Sequence, residues 1–559
     1  MDSAGLIHPL SLNIGAYLAI AAIVLGMLAT SSFVTVWRGY ALKDMALAAL
    51  ICTISALALM PSLQHAADLR TSPDSVEYAV GALNIFSHGR YEITVAGQAF
   101  PPRYPIGFSL FVVLPSIILG GPGSLGIGVW GVAFLAALGV GAAYLAARKL
   151  WSMSAGLLAS AVVLLLPGYT GGAQEVLSFA PTAALGLGVF AFIVAGPQGG
   201  TARWLAAGLA TMVAAACRPL CAVLLIPIVV AWWYERPRRG FGLLTAILPT
   251  AAWGLVTGWY DAAVFGDPMR TGYHLWCPIP YDYPQLLLSV GYLVDNLPPL
   301  LASGAPFVLL VAALGAVSLR ARSLQAAPLG AICIAIIVAA VVPLQFHLLY
   351  FYPWMPYFLF SSAILSPLAA CALAWLVERA LSTGVVLIAI VALALGALGA
   401  SAISRSGPYR QAAQSEQLAV LESVAERLRS ERDTDVVIIT GRNLAHVEAA
   451  TGAIALPISR RVEYASKVLA PQRIALGNIS GIVPTDHRNI RLLKGGAVEA
   501  VEGTVLDDPG FVAKLLSKGM PVLLDITSLS TDERAAVLDR FEVEALGSGV
   551  GKVKSVRAS

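Results

Sequence analysis

The residues best suited to chemistry sit between Asp68 and Ser109, in the stretch DLRTSPDSVEYAVGALNIFSHGRYEITVAGQAFPPRYPIGFS. This is a polar island flanked by long uncharged segments. Pro73 precedes Asp74-Ser75-Val76-Glu77-Tyr78, a pattern that predicts a helix running to about His88, with Asp74 and Glu77 three residues apart on one face. A carboxylate at a helix start by the membrane surface is favoured in its charged form and can accept the proton of an attacking hydroxyl, so Asp74 is a candidate general base. The same position equally suits a plain N-cap at Asp74 and a solvated acid at Glu77. At the far end of the island, the prolines and glycine of Phe100-Pro101-Pro102-Arg103-Tyr104-Pro105-Ile106-Gly107 stiffen the backbone and hold Arg103 on a rigid turn. Its planar fork of donors suits a phosphate. The alternative is an interfacial arginine beside the belt residue Tyr104.

The elements that must position these groups are membrane helices. Of the 559 residues 58% are hydrophobic and only 12% charged, and the mean hydropathy is +0.77. Soluble globular chains carry about a quarter charged residues, so this composition belongs in a bilayer. A formal net charge of +4 is small for this length and argues against a nucleic-acid binder. Leu12–Val36 is uncharged and long enough to span, unlike the shorter core of a secretory signal. Further apolar runs lie near 45–63, 124–146, 154–168, 180–196, 203–217, 219–234, 241–258, 297–317, 327–344, 353–376 and 382–403, while 110–120 reads as a short interfacial or half-inserted helix.

If 110–120 does not cross, Arg38/Lys43, Arg148/Lys149, Arg203, Arg236/Arg238/Arg239, Arg320/Arg322 and Arg379 all fall on one side, which the positive-inside rule makes cytoplasmic. The loop 64–109, the loop around 259–296 and the C-terminal tail then lie on the periplasmic or extracellular face of a plasma or inner membrane. The expected fold is a polytopic α-helical membrane protein of about 12–13 transmembrane helices over 1–403, followed by a soluble α/β domain over 404–559 outside the membrane. In that domain Gln411–Arg432 is helical, Asp435–Thr440 and Pro521–Asp525 are buried strands, and a helix is capped near Ser530 or Thr531 with Asp532 and Glu533 in its first turn. No internal repeat stands out.

Three more stretches carry polar groups on the outer side. Trp259–Tyr273 contains Phe265-Gly266-Asp267-Pro268, a turn signal at a helix end, then Arg270 and Tyr273, which would face the same cavity as Arg103 or serve as loop anchors. Arg218-Pro219 lies at a break between apolar runs, where an arginine holds a lipid phosphate or snorkels. Glu175, in the next outer loop, lines the cavity or is a solvated acid.

In this order the pieces resemble the GT-C superfamily of multi-spanning glycosyltransferases that use polyprenyl-phosphate sugars, closest in flavour to the bacterial protein O-mannosyltransferase and lipid A aminoarabinose transferase branch. That branch carries an early outer Asp-Glu-x-x-Tyr-like motif, then Asn-x-x-x-x-Gly-x-Tyr and a Pro-Pro-Gly run. Here the counterparts are Asp74–Tyr78, Asn84–Tyr91 and Arg103–Gly107, followed by the Arg218-Pro219 and Phe265–Tyr273 elements. The resemblance is clear over about residues 45–275 and elsewhere extends only to layout. There are departures. Ser75 stands where an acid is common, and Ile106 replaces the second proline. One extra helix comes first, and His347–Tyr357 (HLLYFYPWMPY) lacks an arginine often found there.

The resemblance implies inverting sugar transfer, with Asp74 as the general base and Asp68 as its runner-up. Arg103, with Arg218 or Arg270, would stabilise the leaving phosphate. Glu77, Tyr78, Tyr104, Glu175 and Tyr273 would be substrate-binding residues. The implied partners are a polyprenyl-phosphate sugar, an envelope glycan, lipid or protein acceptor, and the bilayer. No cofactor is indicated: the seven histidines are scattered, so a dedicated zinc site is not expected.

Two apparent signals carry no such function. Gly547–Lys552 mimics a phosphate loop, but its spacing is one short and Val553 replaces the needed Ser or Thr. Cys217 and Cys221 read as packing residues, and no disulfide framework is indicated; only Cys277 falls in an aqueous loop. The competing classes are a transporter or flippase of lipid-linked sugars, which would place acids and broken helices at mid-membrane, and a non-catalytic envelope-assembly partner acting through the C-terminal domain.

Overall fold

The computed structural model describes residues 39–59, 73–95, 98–120, 127–196, 200–235, 241–276, 281, 284–322, 327–380, 412–432, 434–442, 444–458, 490–492, 498–500 and 509–557. The expected runs 12–36 and 382–403, Asp68 and Cys277 lie outside them.

The described membrane segments are helical because their apolar runs leave the backbone no other way to satisfy its polar groups in lipid. Among the described residues five helices are long and apolar enough to cross a bilayer: Leu42–Leu59, Gly128–Leu150, Gly242–Phe265, Pro328–Leu349 and Met355–Arg379. Shorter apolar helices at Ile106–Gly120, Met153–Leu165, Phe179–Val194, Thr201–Cys217 and Pro219–Tyr234 fill the bundle between them. The run expected over 297–317 is not one rod. Leu293–Ala302 carries Pro298 and Pro299, the chain breaks at Ser303-Gly304, and Ala305–Arg322 leaves at 67°. The helix Gly242–Phe265 also runs on through Trp259, so the loop expected to begin there starts at Gly266.

The basic loops around 39–44, 148–152 and 378 meet at one end of the bundle. Lys149 donates to the Gly39 carbonyl at 2.8 Å and Arg148 pairs with Asp44 at 2.9 Å. Tyr40 reaches the Ala191 carbonyl at 2.6 Å. Trp151 and Ser152 both donate to Glu378 at 3.0 Å. The polar island gathers elsewhere. Its helix Pro73–His88 lies against the short helix Ile106–Gly120, and β1 (Ile93–Val95) and β2 (Gln98–Phe100) pair antiparallel.

After residue 411 a helix Ala412–Arg432 leads into a mixed sheet of β3 (Val437–Thr440), β4 (Ile454–Pro457), β7 (Val522–Asp525), β8 (Phe541–Gly547) and β9 (Val550–Val556), in the order β4-β3-β7-β9-β8. The first three are parallel, with Val437 opposite both Ile454 and Val522, and are buried as their unbroken apolar runs require. A separate ladder joins β5 (Ile490–Leu492) to β6 (Val498–Ala500). Ser530 and Glu533 form a reciprocal capping box on helix Thr531–Arg540. The phosphate-loop mimic is the β8–β9 hairpin, with Ser548 and Gly549 at its tip.

This sheet unit shares its core with the polar island. Helix Leu444–Thr451 lies on β1 and on helix Pro73–His88, and Val447, fully buried, belongs to the same apolar cluster as Val76, Ala79 and Ile93. Val447→Asp is therefore expected to destabilise the seat of the Asp74 helix by roughly 2–7 kcal/mol, the cost of burying an unpartnered polar group. A thermal transition and proteolysis pattern equal to the parent's would refute that shared core.

Candidate active site

Helix Pro73–His88 turns Asp74 and Glu77 toward the turn at Pro101–Pro105. Glu77 is 1% exposed; its Oε2 accepts the backbone N–H of Arg103 at 2.9 Å, and its Oε1 lies 3.6 Å from Arg103 Nη2. The same Nη2 stands 3.4 Å from Asp74 Oδ1. It also donates to the Tyr104 hydroxyl, which in turn donates to Asp74 Oδ1. Arg103 is thus held by two carboxylates and a phenol. Asp74 keeps 21% of its side chain exposed, and its Oδ2 takes no partner among the described residues. Burial holds the Tyr104, Tyr78 and Tyr273 phenols well above their usual range, so all three remain hydrogen-bond donors.

The middle of the island is a brace for this turn. Asn84 donates to the Glu92 carbonyl at 2.8 Å. Gly89 takes a left-handed φ of 68°, which a glycine adopts without strain. Tyr91 then donates to the Tyr104 carbonyl at 2.9 Å. The Asn84–Gly89–Tyr91 spacing therefore ends on the residue that contacts Asp74.

Arg218 follows helix Gly200–Cys217, in an extended conformation forced by Pro219. Its Nε donates to Ser178 Oγ at 2.8 Å and its guanidinium lies 3.6 Å over the Phe179 ring and 5.7 Å from that of Tyr357. Among the described residues it has no carboxylate partner. The Tyr78 hydroxyl lies within electrostatic reach of both Arg218 and Asp74.

An aromatic wall closes the remaining side. Tyr273 meets Tyr104 edge-on at 5.5 Å and stacks on Tyr281 at 4.7 Å. Tyr281 and Tyr350 share a hydrogen bond through their hydroxyls, and His347 stacks on Tyr357 at 4.6 Å. Asn296 fixes that segment by donating to the carbonyls of Leu348 and Tyr350, at 3.1 and 2.7 Å.

The other expected residues are distributed as follows. Tyr273 reaches the site. Arg270 is half-buried in the adjoining turn, its N–H on the Asp267 carbonyl at 3.1 Å. Glu175 is half-buried in the turn three residues before Ser178. Among the described residues no three His, Cys, Asp or Glu side chains come together as a metal site. Sequence reasoning missed Ser178 and Phe179, which hold Arg218, and the tyrosines 281, 350 and 357. The aromatic density of His347–Tyr357 was a signal for the last two; a lone Ser or Phe gives none.

A Cβ on Gly272 would sit 2.2 Å from the Pro102 carbonyl oxygen and 2.8 Å from Arg103 Cα, so the 270–273 turn lies directly against the turn that carries Arg103. Gly272→Ala should force these backbones apart at a cost of about 1–3 kcal/mol. Unchanged thermal stability in this variant would show that the approach is looser than described.

The sequence matches no protein-family model and no curated protein. Solved structures do match. ArnT from Cupriavidus metallidurans bound to undecaprenyl phosphate superposes with a TM-score of 0.53 at 15% identity, over 92% of this chain and 98% of that one. The Archaeoglobus fulgidus oligosaccharyltransferase in its apo form gives 0.52 at 11% identity, over 91% and 73%. The same archaeal enzyme, AglB, in complex with an inhibitory peptide and a dolichol-phosphate, gives 0.50 at 10% identity, over 92% and 74%. The chain shares the fold of these ArnT and oligosaccharyltransferase structures.

Proposed function

We propose that this GT-C-fold protein is a membrane glycosyltransferase that moves a sugar from a polyprenyl-phosphate carrier to an envelope polysaccharide, glycolipid or protein on the outer face of the membrane. The observation that carries this reading is that Tyr78 lies within electrostatic reach of both Asp74, whose Oδ2 takes no partner among the described residues, and Arg218, which has no carboxylate partner among them. Asp74 Oδ2 takes the proton of the acceptor hydroxyl as that oxygen attacks the anomeric carbon. The bond from that carbon to the phosphate oxygen breaks, and the electron pair leaves with the polyprenyl phosphate. One displacement inverts the anomeric configuration.

Arg218 is the phosphate-stabilising group in this reading, and Arg103 is not. Arg103 Nη2 and backbone N–H are engaged by Asp74, Glu77 and Tyr104, so two carboxylates lie beside its charge, whereas the Arg218 guanidinium is oriented by Ser178 and Phe179 with no carboxylate partner among the described residues. Arg270, in the turn beside Arg103, is a secondary contact for the lipid phosphate. Glu77 serves as the buried counter-charge that fixes Arg103. The aromatic wall of Tyr273, Tyr281, Tyr350 and Tyr357 encloses the sugar, and the carrier's isoprenoid chain stays in the lipid beside the helices. Because the basic loops around 39–44, 148–152 and 378 cluster at one end of the bundle, the positive-inside rule argues for that end as cytoplasmic and for the tail after residue 411 on the outer side.

The test is transfer by the purified protein in lipid nanodiscs. A panel of undecaprenyl-phosphate hexoses and pentoses is supplied with envelope extract, and release of undecaprenyl phosphate is measured. Mass spectrometry of envelope glycans from a deletion strain should show one sugar missing. A strain with unchanged glycans, together with no lipid-phosphate release from any donor, would overturn the proposal.

A further inference from the structure

Asp74 presents its two oxygens unequally. Oδ1 is covered by the Tyr104 hydroxyl and by Arg103 Nη2, while Oδ2 takes no partner among the described residues, on a side chain that is 21% exposed. Tyr104 itself has no freedom. It is 7% exposed, its ring lies 4.9 Å from that of Tyr78 and 5.5 Å from that of Tyr273, and the Arg103 guanidinium sits 4.4 Å over its face. Its backbone carbonyl is held by Tyr91. The hydroxyl thus sits in a fixed chain, receiving from Arg103 and donating to Asp74. A buried phenol with both hydrogen-bonding capacities satisfied inside the protein has nothing left for a substrate.

We propose that Tyr104 is a positioning residue rather than a substrate-binding one: its hydroxyl holds Asp74 Oδ1, so that the lone pairs of Oδ2 alone are aimed at the incoming acceptor. This rests on the reading of Asp74 as the proton acceptor. Without the phenol, the carboxylate is free to rotate about χ2 between two near-equivalent orientations, and the fraction aligned for proton transfer falls. Arg103 alone, at 3.4 Å from Oδ1, is a looser restraint than the phenol.

The experiment uses the full-length protein in nanodiscs with the undecaprenyl-phosphate sugar that the parent transfers. Tyr104→Phe keeps the ring and removes only the hydroxyl. Its kcat is expected to fall about 10- to 100-fold, the range for losing a hydrogen bond to a charged group, while the KM for the donor and the affinity for sugar-free undecaprenyl phosphate stay as in the parent. In the background of Asp74→Asn, Tyr104→Phe should lower the residual rate no further, because a residue that acts only through Asp74 has nothing left to act on.

A rise in donor KM or a loss of undecaprenyl phosphate affinity would show that Tyr104 touches the donor, overturning the inference. So would a parental kcat, or a further loss in the double variant. A fall in thermal stability matched by equal losses in kcat and lipid-phosphate binding would mark a merely structural role and also overturn it. If Asp74→Asn retains the parental rate, the reading of Asp74 itself fails, and that result is separate from any outcome at Tyr104.

Discussion

Asp74→Asn is expected to lower kcat for sugar transfer by about 10²- to 10⁴-fold, the range for removing a general base, with the protein still folded and membrane-inserted. The geometry makes this substitution a clean one. Asparagine keeps the shape and leaves an oxygen to accept from Tyr104. Arg103 is not orphaned by the lost charge, because Glu77 still holds it through its backbone N–H at 2.9 Å and its guanidinium at 3.6 Å. The measurement is initial rate of transfer from the donor that the parent uses, alongside thermal unfolding and the affinity for undecaprenyl phosphate. A parental rate would exclude Asp74 as the base and return attention to Asp68.

The second large effect is expected at Arg218. Arg218→Met should reduce kcat by about 10²- to 10³-fold, as for other groups that stabilise charge developing in a transition state, and should weaken binding of undecaprenyl phosphate. Methionine keeps an unbranched apolar side chain in this place, while the charge, the guanidinium contact over the Phe179 ring at 3.6 Å and the Ser178 contact are lost. Arg218→Lys keeps a charge but not the planar fork and should recover only part of the rate. Equal rates for the methionine variant and the parent would move the phosphate site to Arg270. The contrast with Arg103 matters here: Arg103 substitutions should disturb the orientation of Asp74 rather than the affinity for the lipid phosphate.

Local sequence signals translated well wherever neighbours along the chain decide the outcome. Pro73 with acids in the following turn marked the helix Pro73–His88, and the apolar runs at 437–440 and 522–525 are strands. Ser530 with Glu533 three residues on forms the expected cap. These depend on hydrogen bonds within a few residues and on burial of a continuous apolar run. The break at Ser303-Gly304 was less legible, since hydropathy averages over a window and does not register a bend. The pairing of Arg103 with Asp74 and Glu77 shows the same limit in the site itself. A rigid turn with an arginine looks alike in sequence whether that arginine faces a ligand or two carboxylates from the preceding helix.

The sequence by itself determined that the chain lives in a membrane, that a polar island at 68–109 interrupts its apolar runs, and that a small α/β unit follows the helices. Composition, charge asymmetry and periodicity are properties of the linear chain, and lipid leaves few ways to satisfy them. Only the tertiary structure decided which charges neutralise one another. It paired Arg103 with Asp74 and Glu77, 29 and 26 residues away. It left Arg218 to Ser178, 40 residues away, with no carboxylate partner among the described residues. It also set helix Leu444–Thr451 against the helix that carries Asp74. The reason is that electrostatic pairing depends on separation in space, over a few ångströms, and not on separation along the chain.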